Sequence, residues 1–117
     1  MFAAFAAGDV DSLLETVHED SQWVYYGANP RLSNAEFSGH AAVRKFFERI
    51  LTRLEIEVFD TREFVAQGDT VVVFGGESGQ VRSTGQPFRN EWVQKYVVED
   101  GLITNVAEYN IQVDPPN

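Results

Sequence analysis

The sequence predicts an α+β domain in which a curved antiparallel sheet, shaped like a cone, wraps around one long helix. Two observations lead to this fold class. Apolar residues recur at helical spacing before Leu54, and after it the pattern changes to β-rich segments separated by turn signals. The 117 residues, of which 44% are hydrophobic, fit one domain with a core of its own. We therefore expect residues 1–117 to form one domain.

Two short helices are predicted at the start of the chain. Residues 1–7 are rich in Ala and Phe, Gly8 ends this helix, and Asp9 can cap the next one. The first stretch is too short for a signal peptide or a membrane-spanning helix. The second helix is amphipathic, because its apolar residues recur at helical spacing: Val10, Leu13, Leu14 and Val17.

The long helix is the third, and it follows Ser38-Gly39. Charged residues between positions 44 and 53 form its solvent-facing side. Its other side is one wide apolar stripe that ends at Leu54. We expect most of this stripe to be buried against the concave face of at least four antiparallel strands: Val43, Phe46, Phe47, Ile50 and Leu51.

The sheet is predicted from one early strand and a later meander. Residues 22–27 are β-rich and are followed by a turn at Asn29-Pro30, and Pro115-Pro116 ends the fold. A sheet beside three helices buries its apolar residues by curling around the long helix into a cone. The open end of this cone forms a pocket. The meander strands are expected at 55–66, 70–82, 87–98 and 102–113, with a bulge or bend at Gly75, Gly76 and Gly79.

Composition excludes several classes of partner. A formal charge of -9 repels phosphate backbones and anionic lipid, so we expect neither a nucleic-acid nor a membrane partner. The chain contains no cysteine, which excludes disulfides and thiolate metal sites and fits a cytoplasmic protein. His18 and His40 lie far apart without metal-binding spacing, so no metal and no cofactor are predicted.

Five segments stand in a characteristic order along the chain: AAGDVDSLL (6–14), WVYYG (23–27), FSGHAAVRKFF (37–47), WVQKY (92–96) and DGLI running on to Glu108-Tyr109 (100–109). This order resembles the SnoaL-like and ketosteroid-isomerase-like branch of the nuclear transport factor 2-like superfamily. The resemblance covers nearly the whole chain and implies the cone-shaped fold of that superfamily. It does not select one activity, because the superfamily includes isomerases, cyclases, dehydratases and members without known chemistry.

The family's usual catalytic residues are not retained. By this resemblance, the general-base aspartate of steroid isomerases falls at Tyr25, their oxyanion-hole aspartic acid at Gln94, and their oxyanion-hole tyrosine at or before Met1. A phenol of pKa near 10 is a poor base at neutral pH, so steroid isomerase is judged the wrong activity. The histidine and aspartate of SnoaL-like cyclases fall at Gln94 and near Asn110 or Ile111, so that pair is missing too.

Other residues of this chain can take the place of the missing catalytic residues. Strand alternation groups side chains on one face of each strand, and the resemblance points that face into the cavity. The inward groups of the last two strands are Trp92, Gln94, Tyr96, Val106, Glu108 and Asn110, and they would line an aromatic pocket with Trp23 and Tyr25.

Glu108 is the candidate acid or base, because apolar surroundings raise the pKa of a carboxyl group. Alternatively, Glu108 is a structural group paired with Gln94 or with an arginine, Arg89 or Arg31. Tyr25 either donates a hydrogen bond to a ligand carbonyl or only lines the wall. The two tryptophans either stack on a flat ligand or fill the cone.

Two functions follow from these residues. The first is a pocket protein for a small apolar or aromatic ligand that carries out cofactor-independent proton transfer of the isomerase, cyclase or dehydratase type. The second is a non-catalytic module for ligand storage or protein interaction. In both cases we expect a homodimer through the outer face of the sheet, because a segment such as Val71–Phe74 is apolar on both faces.

Overall fold

The computed structural model describes residues 2–27 and 35–113, without the side chains of Phe2 and Ala6. The turn expected at Asn29-Pro30 and the end expected at Pro115-Pro116 lie outside these ranges. The elements are α1 (Phe2–Ala6), α2 (Val10–Leu14), β1 (Val17–Tyr26), β2 (Ala35–Ser38), α3 (His40–Arg53), β3 (Leu54–Gln67), β4 (Thr70–Val81), β5 (Pro87–Glu99) and β6 (Leu102–Val113). The predicted α+β fold class is confirmed.

The described strands form one curved six-stranded sheet in the order β2-β1-β6-β5-β4-β3. Hairpins join β3 to β6 as the predicted antiparallel meander, and the observed strand limits agree with the predicted ones within two residues. β1 pairs with β6 in parallel, which the sequence analysis did not predict. No hairpin joins these two strands, so turn geometry does not fix their relative direction.

The second helix is shorter than predicted, and the first strand is longer. Helix α2 ends at Leu14, and Val17 begins β1 instead of continuing the helix. The Thr16 carbonyl oxygen accepts a hydrogen bond of 2.9 Å from the Ile103 N–H, which ties this segment to β6. Thr16 and Val17 are β-branched, and such residues favour strands over helices.

Helix α3 lies across the concave face of the sheet. It begins after Gly39, whose φ of +86° suits glycine. Val43 and Phe47 are buried as predicted. Phe46 and Ile50 are only partly buried, and both line a cavity between the helix and the sheet. Within the described ranges, no helix has the length and apolar content needed to cross a membrane.

The glycines of β4 let neighbouring groups approach closely. A Cβ atom at Gly75 would lie 2.1 Å from the Asp60 carbonyl oxygen and 2.5 Å from the Trp92 ring. The sequence predicts a bulge or bend at the glycines of β4, but the register shifts lie in the partner strand β3, between Ile56 and Val58 and again at positions 61–63. Because Gly75 has no side chain, the ring of Trp92 can pack directly against this part of β4.

Candidate functional site

A cavity of about 50 Å³ lies between α3 and the inner face of the sheet. This volume holds only a few water molecules, each of which needs roughly 10–15 Å³. Most of the wall is aromatic or aliphatic, and two carboxylates interrupt it. The lining residues are Phe5, Trp23, Val24, Tyr25, Phe46, Phe47, Ile50, Leu54, Phe59, Glu77, Gln94, Tyr96, Val106 and Glu108.

Glu108 is held at the cavity wall by hydrogen bonds to both of its carboxylate oxygens. In the strand register, Glu108 of β6 lies opposite Gln94 of β5 on one side and Tyr25 of β1 on the other. Gln94 Nε2 donates to Glu108 Oε1 at 2.5 Å, and Asn110 Nδ2 donates to Glu108 Oε2 at 3.3 Å. These two contacts fix the orientation of the carboxylate plane.

The surroundings of Glu108 shift its acidity. Burial raises the pKa of Glu108 to about 7, and the neighbouring charge of Glu77 acts in the same direction. The hydrogen bonds from Gln94 and Asn110 lower the pKa but do not cancel the rise. Glu108 is only partly buried by accessible surface, but it lines the cavity, so the open part faces an apolar space. Both protonation states are therefore available near neutral pH.

Glu77 is a second carboxylate at the cavity wall, and the sequence analysis missed it. It lies on β4, where its Oε1 accepts hydrogen bonds from Asn90 Nδ2 at 3.1 Å and from Asn110 Nδ2 at 3.2 Å. The amide of Asn110 thus bridges Glu77 and Glu108. Burial raises the pKa of Glu77, against the lowering effect of its two amide partners. Glu77 lies on the same face of β4 as the buried Val73, four residues earlier, and this spacing is the signal that could have identified it.

Two tyrosine hydroxyls belong to the site in different ways. The Tyr96 hydroxyl donates to Gln94 Oε1, which turns the Nε2 of that amide toward Glu108. The Tyr25 side chain is buried and lines the cavity, and its hydroxyl has no hydrogen-bond partner among the described residues. Burial, with the charges of Glu108 and Glu77, raises the pKa of Tyr25, so the phenol stays protonated.

Most of the predicted pocket residues line the cavity, but two do not. Trp92 is buried and stacks on Phe59 with ring centroids 5.1 Å apart, so it supports the wall from behind. Asn110 lies behind the two carboxylates and reaches them only through its amide. The remaining predicted residues do line the cavity: Trp23, Tyr25, Gln94, Tyr96, Val106 and Glu108.

The alternative arginine partner of Glu108 is not present in the described part of the chain. Arg89 lies on the outward-facing side of β5, because it alternates with the buried Phe88 and Asn90. Arg31 lies outside the described residues. Across residues 2–27 and 35–113, no lysine, arginine or histidine lines the cavity, and no group of three or more His, Cys, Asp or Glu residues is arranged to hold a metal ion.

Comparison with protein families gives one match that spans most of the chain. The model of the SnoaL-like domain matches residues 1–106, so Glu108 and Asn110 lie just beyond the matched stretch. No curated protein matches the sequence.

Several solved structures are similar over nearly the whole chain. An NTF2-like protein from Burkholderia xenovorans is 35% identical, with a TM-score of 0.80 over 93% of this chain and 82% of that one. TerC, co-crystallised with polyporic acid, is 28% identical, with a TM-score of 0.75 over 92% and 83%. A Catenulispora acidiphila protein with a ketosteroid isomerase-like fold, in complex with trimethylamine, is 17% identical, with a TM-score of 0.78 over 92% and 78%.

Proposed function

Because the chain belongs to the SnoaL-like domain family, we propose that it binds a small, mostly apolar ligand and catalyses cofactor-independent proton transfer on it. The reaction classes that suit the site are isomerisation, cyclisation and dehydration. The observation that carries the proposal is the carboxylate of Glu108, which faces an apolar cavity while Gln94 and Asn110 fix its orientation.

Glu108 is the proton-transfer group in this proposal. A general base works best when its pKa lies near the working pH, because it must both take up and release the proton. Burial raises the pKa of Glu108 to about 7, which meets this condition. The carboxylate would remove a proton from a carbon atom next to a ligand carbonyl and return it at a second position.

Tyr25 is the proposed hydrogen-bond donor to the ligand oxygen. Removal of a proton next to a carbonyl places negative charge on the carbonyl oxygen, and a donor aimed at that oxygen stabilises the charge. Tyr25 lies directly opposite Glu108 in the register of β1 and β6, and its hydroxyl is unpartnered among the described residues. Because its pKa is raised, the hydroxyl keeps its proton for donation.

The solved relatives support a small-molecule role in general terms. TerC was crystallised with polyporic acid and the Catenulispora protein with trimethylamine. These molecules differ in chemistry, so they support a ligand pocket in this chain without selecting its ligand.

A two-stage experiment tests the proposal. A thermal-shift screen of planar ketones, steroids, short lactones and aromatic acids identifies binders, since a ligand of the folded state raises its melting temperature. Proton NMR in D2O then measures exchange of the protons next to the carbonyl of each hit. We expect Glu108→Gln to slow this exchange by about 100-fold or more, while Glu63→Gln, at an exposed position on β3, leaves it unchanged. Equal exchange in both variants contradicts the proposal.

The second candidate is a non-catalytic dimeric module for ligand binding or protein interaction. The loss of the family's usual acid–base residues favours it, and so do large apolar side chains exposed on the outer face of the sheet. Phe74, Tyr109 and Ile111 there are 39%, 50% and 63% exposed. We propose the homodimer through this face for either function, and a cytoplasmic location for a chain without cysteine.

A further inference from the structure

The charged groups at the cavity wall all have the same sign. Glu77 and Glu108 line the cavity, and no cationic side chain of the described residues faces them there. Their hydrogen-bond donors, the amides of Gln94, Asn90 and Asn110, are neutral. Two carboxylates joined through one amide repel each other in apolar surroundings, and a positive charge between or beside them would relieve that repulsion.

The hydrogen-bonding groups that remain for a ligand are mostly acceptors. The nitrogens of Gln94 and Asn110 already donate to the two carboxylates. The carboxylate oxygens keep free lone pairs, and the Tyr25 hydroxyl, on a side chain only 4% exposed, has no partner among the described residues. Because Tyr25 lines the cavity, its hydroxyl can pair with a polar group of a ligand there.

The rest of the wall suits a cation with small apolar substituents. The rings of Tyr25 and Phe46 lie 5.3 Å apart, and Phe59 and Tyr96 also face the cavity. Aromatic faces carry partial negative charge and attract ammonium groups, most strongly where water is excluded. A volume of about 50 Å³ matches a head group of a few atoms better than a polycyclic ligand.

From this arrangement we propose that the ligand carries a positively charged amine, and that a small alkylammonium group occupies the cavity between Glu108 and the aromatic rings. Its N–H groups donate to the Glu108 carboxylate and its carbon atoms contact Phe46 and Phe59, while the Tyr25 hydroxyl stays available to donate to an oxygen elsewhere on the ligand. This inference rests on the proposed function and names the ligand class of the same site.

Charge and pH separate this ligand class from a neutral carbonyl compound. An ammonium group needs Glu108 ionised, whereas a carbonyl oxygen near Glu108 benefits from the protonated acid, which can donate to it. The titratable groups that face Glu108 are Glu77 on β4, Tyr96 on β5 and Tyr25 on β1, and α3 contributes only apolar side chains to the cavity. Both tyrosines stay neutral, so the pH dependence of binding comes from the two carboxylates.

The test compares tert-butylammonium with tert-butanol, which have similar shapes and differ in charge. Titration calorimetry at pH 8 and pH 5.5 measures both. At pH 8 we expect the ammonium to bind at least about tenfold more tightly than the alcohol, and its affinity to fall about tenfold or more at pH 5.5, as Glu108 becomes protonated. Glu108→Gln should abolish this preference, and Glu63→Gln should keep it.

Equal binding of the two compounds, binding that strengthens at pH 5.5, or no binding of the ammonium would overturn the inference. None of these results touches the proton-transfer proposal, which the exchange assay with neutral ketones tests on its own. Conversely, the ammonium compound could bind with the expected pH dependence while no ketone exchanges its protons. That result would support the proposed ligand class and contradict the catalytic role. Because the comparison of the two compounds uses the unmodified protein, it does not depend on the folding of any variant.

Discussion

Gln94 lies directly opposite Glu108 in the neighbouring strand, and its Nε2 donates a hydrogen bond of 2.5 Å to Glu108 Oε1. The other end of the Gln94 amide accepts from the Tyr96 hydroxyl. This chain of contacts fixes which end of the amide faces the carboxylate. Gln94 of β5 and Asn110 of β6 therefore set the orientation of Glu108 together.

Removing the Tyr96 hydroxyl should lower stability, whereas removing the Tyr25 hydroxyl should weaken ligand binding or proton exchange. Tyr96→Phe loses a buried hydrogen bond to Gln94, and we expect it to lower the free energy of unfolding by about 1 kcal/mol. Tyr25→Phe removes a hydroxyl with no partner among the described residues, so stability should change little while ligand binding or proton exchange weakens. Urea denaturation and the exchange assay measure the two effects. A Tyr25→Phe variant with full activity would show that Tyr25 only lines the cavity wall.

Stability should fall as the pH rises through the range in which Glu108 ionises. The folded-state pKa of Glu108 is raised from 4.5 to about 7. The folded protein therefore holds a proton between these values that the unfolded chain has released. The stabilisation from this proton is complete below pH 4.5 and is lost by about pH 7, and Glu77 shifts in the same direction.

Glu108→Gln should remove the loss of stability that accompanies ionisation of Glu108. At pH 8 we expect the variant to be more stable than the unmodified protein by up to about 3 kcal/mol, and at pH 4.5 to differ little from it. Urea denaturation at both pH values checks this, with Glu63→Gln as the control at an exposed position. A loss of stability that is the same at both pH values would show that Glu108 is chiefly a structural hydrogen-bond acceptor.

The outer face of the sheet should form the proposed homodimer. Tyr26, Tyr109, Val93 and Phe74 lie in one row across four strands, and the rings of Tyr26 and Tyr109 stack 5.1 Å apart. Burial of such a row is favourable, because exposed apolar surface is removed from water. Light scattering should therefore give twice the monomer mass at micromolar concentration.

Charge on this row should dissociate the dimer without unfolding the protein. We expect the double variant Phe74→Asp with Tyr109→Asp to be monomeric and to keep its circular dichroism spectrum. Phe64→Asp changes an aromatic residue that is 56% exposed but belongs to the other face of the sheet, and it should leave the dimer intact. A monomeric unmodified protein would contradict this account of the outer face.

The fold could largely be predicted because its signals are local. Turn residues and alternation define the hairpins from Leu54 to Val113, and helical spacing defines α3. The pairing of β1 with β6 depends on residues far apart in sequence, which periodicity does not reveal. Val17 was assigned to the wrong element because its apolar side chain continues the helical spacing of α2 and also suits the first position of a strand.

The candidate site could be predicted in part, for a similar reason. Glu108 lies two residues after Val106 in β6, so alternation places it on the same face as this apolar residue. Glu77 is flanked by Gly76 and Ser78, whose small side chains give no clear contrast, so its position shows only in its spacing from Val73 and in the register with Asn90. The sequence predicts Trp92 in the cavity. In the structure its ring packs against Gly75 instead, because glycine has no side chain to block it.

We propose that Glu108 titrates near neutral pH, and the titration of its side-chain carboxyl carbon tests this proposal. Carbon-13 NMR of the side-chain carboxyl should be followed from pH 3 to pH 9, with Glu108→Gln used to assign the resonance. We predict a midpoint near pH 7, because burial and the charge of Glu77 raise the pKa of Glu108 to about 7. A midpoint at or below the ordinary value of 4.5 would contradict the proposed base and favour the non-catalytic module.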